Sequence, residues 1–531
     1  MIGPVVFYPG VAPARHGSRI GAALDGEGPE RGRSGIYGEF EGRALDANGM
    51  LSLPLGEGRL SVSGRYGYPG LLVPVFVPEI RAAYWDYQLR FEHPLGRNER
   101  FELVVLGVFD SLELDDFDDP EEPPDIIDIF FHRAEARFVH ETESLVFGVA
   151  LGFGHDQSGI NQLDVEVEAV RFGPRVFLEW RGDERMTLRL GAQVEGILGE
   201  LRAFDGSPLP QEVDVQIDNP TFAGARARSH ASAYGELVWE PTNTLELELG
   251  VRGDLFTTGS EREASAEPRL TVRYTPLAWF DVTVAAGLAY QPAVFFLPVP
   301  GLTQIALDRG LQRAIQLEAG VGAWLPPGLR VEARVFANRF DGLLLLDLFG
   351  LEDCGAGVPQ GSPRACEDSP GIPRTDAWAY GSELSAKFRL FDRLTGWIAY
   401  TLTFADAENE AGVAYSPSFE VRHVGSAVVI AELFAGFKVG LRGFARSGRM
   451  DGIIARGRYE ERPLPGALRL DAQVSYEFRS GAGDWRIFAE MFNVTLTRDA
   501  NGLECDERGE ECEIDYGPRL FYPNAGVRLT F

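Results

Sequence analysis

Residues 186–195 read MTLRLGAQVE. Side chains of an extended strand point alternately to its two faces, so Met186, Leu188, Leu190, Ala192 and Val194 share one face and Thr187, Arg189, Gly191, Gln193 and Glu195 the other. The same strict alternation recurs at 163–170 (LDVEVEAV), 245–252 (LELELGVR), 329–338 (LRVEARVFAN), 437–445 (FKVGLRGFA) and 468–478 (LRLDAQVSYEF). A helix would need apolar residues at three- and four-residue spacing, and none of the six segments supplies it. Capping patterns ahead of apolar runs are scarce as well. The expectation is an all-β chain.

Composition agrees and narrows the function. The 531 residues hold 62 Gly, 35 Phe and 16 Tyr against 7 His and 5 Met, a bias towards turns and strands. With 79 Asp+Glu against 50 Lys+Arg the formal charge is -29, whereas phosphate backbones are bound through basic surfaces. Nucleic acid is therefore excluded as a partner. The histidines are scattered, and neither HExxH, GxSxG nor a glycine-rich phosphate loop occurs. No catalytic residue, cofactor or metal site is read, and the chain is not expected to be an enzyme. The acidic stretch 110–128, DSLELDDFDDPEEPPDIID, lacks the spacing and central glycine of a calcium loop and reads as a solvated connector.

Connectors come in two sizes that take turns. Short ones lie at 56–58, 94–98, 182–185, 240–244, 326–328 and 391–393; long polar ones lie at 110–128, 198–229, 342–376, 447–465 and 498–517. A meander with short turns at one end and long loops at the other is the pattern of an outer-membrane barrel, with short periplasmic turns and long extracellular loops. About 22 strands can be placed, and an even number leaves both termini on the periplasmic side. No transmembrane helix is visible, because the longest uncharged run, 282–307, is broken by Pro292, Pro298 and Pro300.

Tryptophan offers a second line. Trp180, Trp239, Trp279, Trp324 and Trp485 lie within a few residues of short turns, Trp397 slightly further in, and Trp85 and Trp378 where long loops re-enter strands. An aromatic belt at the two membrane boundaries is expected, since indole is apolar in its ring and polar at its N–H. The chain ends on NAGVRLTF, where Ala525, Val527, Leu529 and Phe531 alternate with polar residues. In a barrel the last strand pairs with the first, so these four side chains are expected to face lipid and Arg528 the lumen. Rows such as Glu246, Glu248 and Arg252, or Arg330, Glu332 and Arg334, read as polar interior. Four cysteines form two close pairs without CxxC, and we read Cys354 with Cys366 and Cys505 with Cys512 as disulfides of outer loops, although four cysteines allow three connectivities.

The start of the chain carries a family resemblance. FYPGVAPARHGSRIGAALDG, residues 7–26, resembles the end of the plug domain of TonB-dependent outer-membrane receptors through Tyr8, Pro9, Gly10, Pro13, Ala14, Arg15, Gly17 and Gly21. Residues 290–302 (YQPAVFFLPVPGL), 311–344 and 489–495 (AEMFNVT) resemble the barrel of the same family. The resemblance implies residues 1–35 as the C-terminal remnant of a plug domain and its linker, and residues 36–531 as the transmembrane barrel. It implies a bacterial outer-membrane receptor for a scarce bulky solute, a siderophore, cobalamin or glycan, with a porin-like or structural barrel as the alternative. Phe531 resembles the signal read by the outer-membrane barrel assembly machinery. Since MIGPVVFYPG does not read as a signal peptide and most of a plug is lacking, the expectation is a truncated start. TonB is then a partner only if the upstream region exists.

Overall fold

In the computed structural model the alternating segments close into one wall. The structure describes residues 4–26, 35–71, 74, 80–114, 125–160, 165–203, 226–293, 307, 310–344, 374–409, 412, 414–417, 420–455, 458–481, 483–506 and 511–531. Twenty-two antiparallel strands form a closed barrel in chain order, from Tyr37–Arg43, Asp46–Leu55 and Gly58–Gly67 round to Ala467–Ser480, Gly483–Phe492 and Tyr522–Thr530. The two-residue stretch Ala414–Tyr415 pairs with the tip of Leu394–Asn409 and continues the line of His423–Phe434. A single 3-10 turn, Pro69–Leu71, is the only helical element among the described residues.

Closure is made by the two ends of the wall. Gly526 lies opposite Arg43 and Thr530 opposite Glu39, and Gly38 and Phe531 exchange two N–H···O bonds of 2.9 Å. The last residue is thus hydrogen-bonded into the sheet, and the barrel has no free strand edge. Arg528 reaches Glu41 across this seam, on the lumen side, while Val527 and Phe531 are exposed on the outer surface.

Connector lengths sort by end as expected, with two departures. The turns after Leu55, Asp183, Thr242, Leu325 and Leu390 all lie at one end, and the long connectors lie at the other. At the long-loop end, however, residues 44–45 and 259–260 are also tight turns. Two short hairpins stand at that end outside the wall. They are Met450–Ala455 with Arg458–Pro463, and Ala500–Cys505 with Cys512–Tyr516. They are tied together where Asp451 Oδ2 accepts the Leu503 N–H at 2.7 Å and Arg462 Nη1 donates to Cys512 Sγ at 3.2 Å. Cys505 and Cys512 face each other in register and form a disulfide with Cα atoms 4.0 Å apart. Cys354 and Cys366 lie outside the described residues, as do residues 115–124 of the acidic stretch.

The wall is apolar outside and charged inside. Val251, Leu317 and Leu441 are more than half exposed on the outer face, whereas Glu236, Asp254 and Glu267 in the lumen rows are almost wholly buried. A barrel that folds in water carries the opposite distribution. Inside, arginines and carboxylates two residues apart or cross-strand pair along the wall. Examples are Arg100 with Glu102 at 2.7 Å, Arg171 with Asp156 at 2.7 Å and Arg330 with Asp281 at 2.6 Å. Glu246, Glu248, Arg252, Arg330, Glu332 and Arg334 all belong to these inward rows.

The tryptophans divide differently. Trp180, Trp239 and Trp485 lie at the short-turn end of the outer face, Trp279 lies in a short turn, and Trp85 and Trp378 lie towards the long-loop end of the outer face. Trp324 does not belong with them. It stands opposite Arg330, whose guanidinium lies 5.4 Å from the indole centroid, and Arg330 is an inward residue. Trp397, opposite the inward Lys387, likewise shares a lumen row.

Candidate functional site

Inside the barrel, Val5–Tyr8 and Ala23–Gly26 pair as a small antiparallel sheet. The chain between them lies against five adjacent wall strands: Arg226–Thr242, Leu245–Thr258, Glu261–Leu277, Phe280–Gln291 and Gln312–Leu325. Residues 9–22 have no ladder of their own here, and beyond one internal turn, where the His16 N–H donates to the Pro13 carbonyl at 2.9 Å, their backbone groups look to the wall for partners. The wall supplies these with side chains.

Arg15 is held twice by one carboxylate. Its backbone N–H donates to Glu236 Oε1 at 2.7 Å and its Nη1 to Glu236 Oε2 at 3.0 Å, while Nη2 reaches the Tyr8 hydroxyl at 3.3 Å. Glu236 has no exposed side-chain surface, so its charge is compensated by Arg15 and, at 4.0 Å, by Arg189. Burial opposes the charge on Arg15, but Glu236 outweighs it, and the guanidinium titrates above its ordinary range. Arg269 works from the other side: its Nη1 donates to the carbonyls of Ala12 at 2.9 Å, Pro13 at 2.7 Å and His16 at 2.5 Å. Further along, Ser18 Oγ donates to Asp254 Oδ1 at 3.2 Å. Ile20 gives its N–H to Gln291 Oε1 at 3.2 Å and accepts from Gln316 Nε2 at 3.1 Å.

Close approach explains the glycines that face the wall. A Cβ on Gly17 would overlap the Arg252 guanidinium, and one on Gly10 would sit 2.5 Å from Glu318 Oε2. The wall yields in turn, for a Cβ on Gly250 or Gly287 would come within 2.9 Å of Ala14 or Val11. Tyr8 packs on the His16 ring with centroids 5.4 Å apart, and Pro9 lines a cavity described below. Nothing in the structure explains Gly21, around which a Cβ would meet open space.

Ser18, His230 and Asp254 come together, but not as a nucleophile relay. Ser18 Oγ and Asp254 Oδ1 approach the same ring nitrogen, His230 Nε2, at 3.2 and 2.6 Å. In a relay the carboxylate holds one nitrogen and the hydroxyl addresses the other. The group serves to fasten the segment. Among the described residues no cluster of three His, Cys, Asp or Glu side chains is placed to hold a metal ion.

The wall half of this site, Glu236, Arg252, Asp254, Arg269, Gln291 and Gln316, has no local sequence signal. The residues come from five strands and share only the inward parity of the alternation.

Comparison with known proteins bears directly on this geometry. Residues 62–494 match the family model described as TonB dependent receptor-like, beta-barrel. The chain belongs to the TonB-dependent receptor family. No curated protein matches it in sequence. Solved receptors of similar fold include the FrpB iron transporter from Neisseria meningitidis (F3-3 variant), 13% identical with a TM-score of 0.70 over 100% of this chain and 87% of that one. The siderophore receptor PiuA from Acinetobacter baumannii is 11% identical with a TM-score of 0.69 over 99% and 86%. The ferric yersiniabactin uptake receptor FyuA from Yersinia pestis is 14% identical with a TM-score of 0.64 over 96% and 82%. At such identities the likeness establishes the fold. The family and these neighbours are receptors and transporters, in keeping with a TonB-dependent receptor barrel whose polar contacts fasten an internal segment.

Proposed function

We propose that the chain is an outer-membrane receptor that moves a scarce, bulky solute through its lumen. Residues 1–35 are the last part of the plug and its linker, and residues 36–531 the barrel. The observation that carries this reading is the docking of residues 8–20, to which five strands commit buried charged and amide side chains. Such a wall is built around an internal body. A porin-like barrel would leave the same groups to water, and the widest barrels need a plugged lumen. The inverted surface supports placement in a bilayer, with Trp180, Trp239 and Trp485 at one interface and Trp85 and Trp378 at the other. Phe531 is the signal to the barrel assembly machinery. TonB is a partner on condition that the upstream region of the plug exists.

Among siderophores, cobalamin and glycans, ferric siderophores are the first solutes to test, because the solved neighbours are by name iron and siderophore receptors. The test is uptake of radioactive ferric chelates by cells that lack other receptors, with and without TonB. The expected result is saturable uptake that disappears without TonB. Uptake that rises in proportion to concentration and ignores TonB would overturn the proposal.

A further inference from the structure

Most of the charged lumen rows neutralise themselves. Arg330 pairs with Asp281 and Glu332, Arg100 with Glu102 and Glu141, and Arg252 with Asp254. Three inward residues on adjacent strands break this habit. Glu318 lies on Gln312–Leu325, Arg334 on Leu329–Leu344 and Glu383 on Arg374–Leu390, and Arg334 stands directly opposite Glu383 in register. Even so, none of the three makes a hydrogen bond or an ion pair among the described residues. They surround one cavity of about 90 Å³, together with Gln316, Phe336 and Asn338, and residues 9–11 of the docked segment close its inner side. A water needs about 10 to 15 Å³ of such space, so the cavity has room for several waters or one small polar group.

We propose that this cavity is a binding site for a zwitterionic group, an ammonium beside a carboxylate as at the end of an α-amino acid, carried by or accompanying the transported solute. Arg334 is near enough to feel both carboxylates, yet no hydrogen bond joins the three, and partly buried charges without hydrogen-bonded partners are costly. Two carboxylates and one guanidinium around one cavity offer acceptors for an ammonium and a donor fork for a carboxylate. An ammonium has three donors and no acceptor, which suits the space between Glu318 and Glu383. A carboxylate matches the fork of Arg334, the geometry in which arginine binds best. Phe336 offers an apolar face to the carbon between them. Gly10 is part of the site, because any side chain there would fill the space in front of Glu318 Oε2, 2.5 Å from where its Cβ would lie. A simple anion would meet two carboxylates, and a simple cation would leave the Arg334 fork without an acceptor.

The proposal rests on the receptor reading only for its purpose; binding itself is measured on the purified full chain in detergent. Ligand-observed NMR with L-alanine, propylamine and propionate compares a zwitterion with its two halves at the same size. Alanine is expected to bind saturably, with each half at least tenfold weaker. Glu318→Gln and Arg334→Gln, which keep size and remove charge, are each expected to weaken alanine at least tenfold. Gly10→Ala is expected to abolish binding by bulk alone, with every variant checked for folding by heat-modifiable migration on gels. No saturable alanine binding, equal affinity for all three probes, or unchanged affinity in both charge variants would overturn the site. Loss of the site with TonB-dependent uptake intact would leave the receptor reading standing; alanine binding by a barrel whose uptake ignores TonB would do the reverse.

Discussion

Arg15 shows how much one residue of the docked segment carries. It satisfies a carboxylate with no exposed side-chain surface, from a distance of 221 residues in sequence. Arg15→Ala leaves Glu236 buried with the backbone N–H of residue 15 and, at 4.0 Å, Arg189, and removing the charged partner of a buried pair costs about 3 to 5 kcal/mol. We expect this variant to free residues 5–26 for proteolysis while the barrel stays folded; a segment as protected as in the unchanged protein would show that Arg269 and Gln316 suffice. His16 adds a dependence on pH. Burial, and then the charge of Arg15, push its imidazole below the ordinary value of 6.5, against the pull of Asp25 at 3.4 Å. The undocked segment therefore binds more protons between that lowered value and 6.5. Docking is favoured fully above about pH 6.5 and weakens as pH falls through the lowered value. Protease protection of the segment should decline across that window, and should do so less in His16→Gln.

At the scale of the element, alternation is both what was legible and what limits the reading. Leu384 is half exposed on the outer face, and its neighbour Ser385 points inward opposite Glu332. Leu384→Arg is expected to cost about 2 to 4 kcal/mol in a bilayer, and Ser385→Arg to stay within about 0.5 kcal/mol. Equal costs in denaturant titrations of vesicle-embedded protein would contradict the assignment of faces. The Ala500–Cys505 and Cys512–Tyr516 hairpin makes the complementary point, since its bridge closes a loop of sequence separation 7 and orders that loop by about 2 to 3 kcal/mol. Replacing both cysteines by serine should open the hairpin to proteases and leave barrel unfolding unchanged. Strand period and connector length are local properties, so the 22-strand wall and its two ends could be read from the chain. Trp324 was misplaced because nearness to a turn gives height and not face. Its parity with Gln316 and Glu318, opposite to Ile315 and Leu317, already carried the right answer. The lumen partners of the segment were not legible, because nothing local distinguishes Glu236 or Arg269 from any other inward residue.

For the whole molecule the decisive contact is the seam between Tyr37–Arg43 and Tyr522–Thr530. Removing residues 522–531 exposes the edges of Gly483–Phe492 and Tyr37–Arg43 together. A closed wall cannot form from the remainder without changing strand number, and we expect no heat-modifiable barrel from that deletion; a stable barrel of 21 strands would refute the requirement. The seam also sets a clock. A ribosome adds about 5 to 20 residues per second, so roughly 25 to 100 s separate synthesis of the first wall strand from that of the last. Throughout that interval the first wall strand lacks the neighbour that it has in the finished barrel. Until Tyr522–Thr530 exists the wall cannot close, so closure of the first strand waits on the last one made.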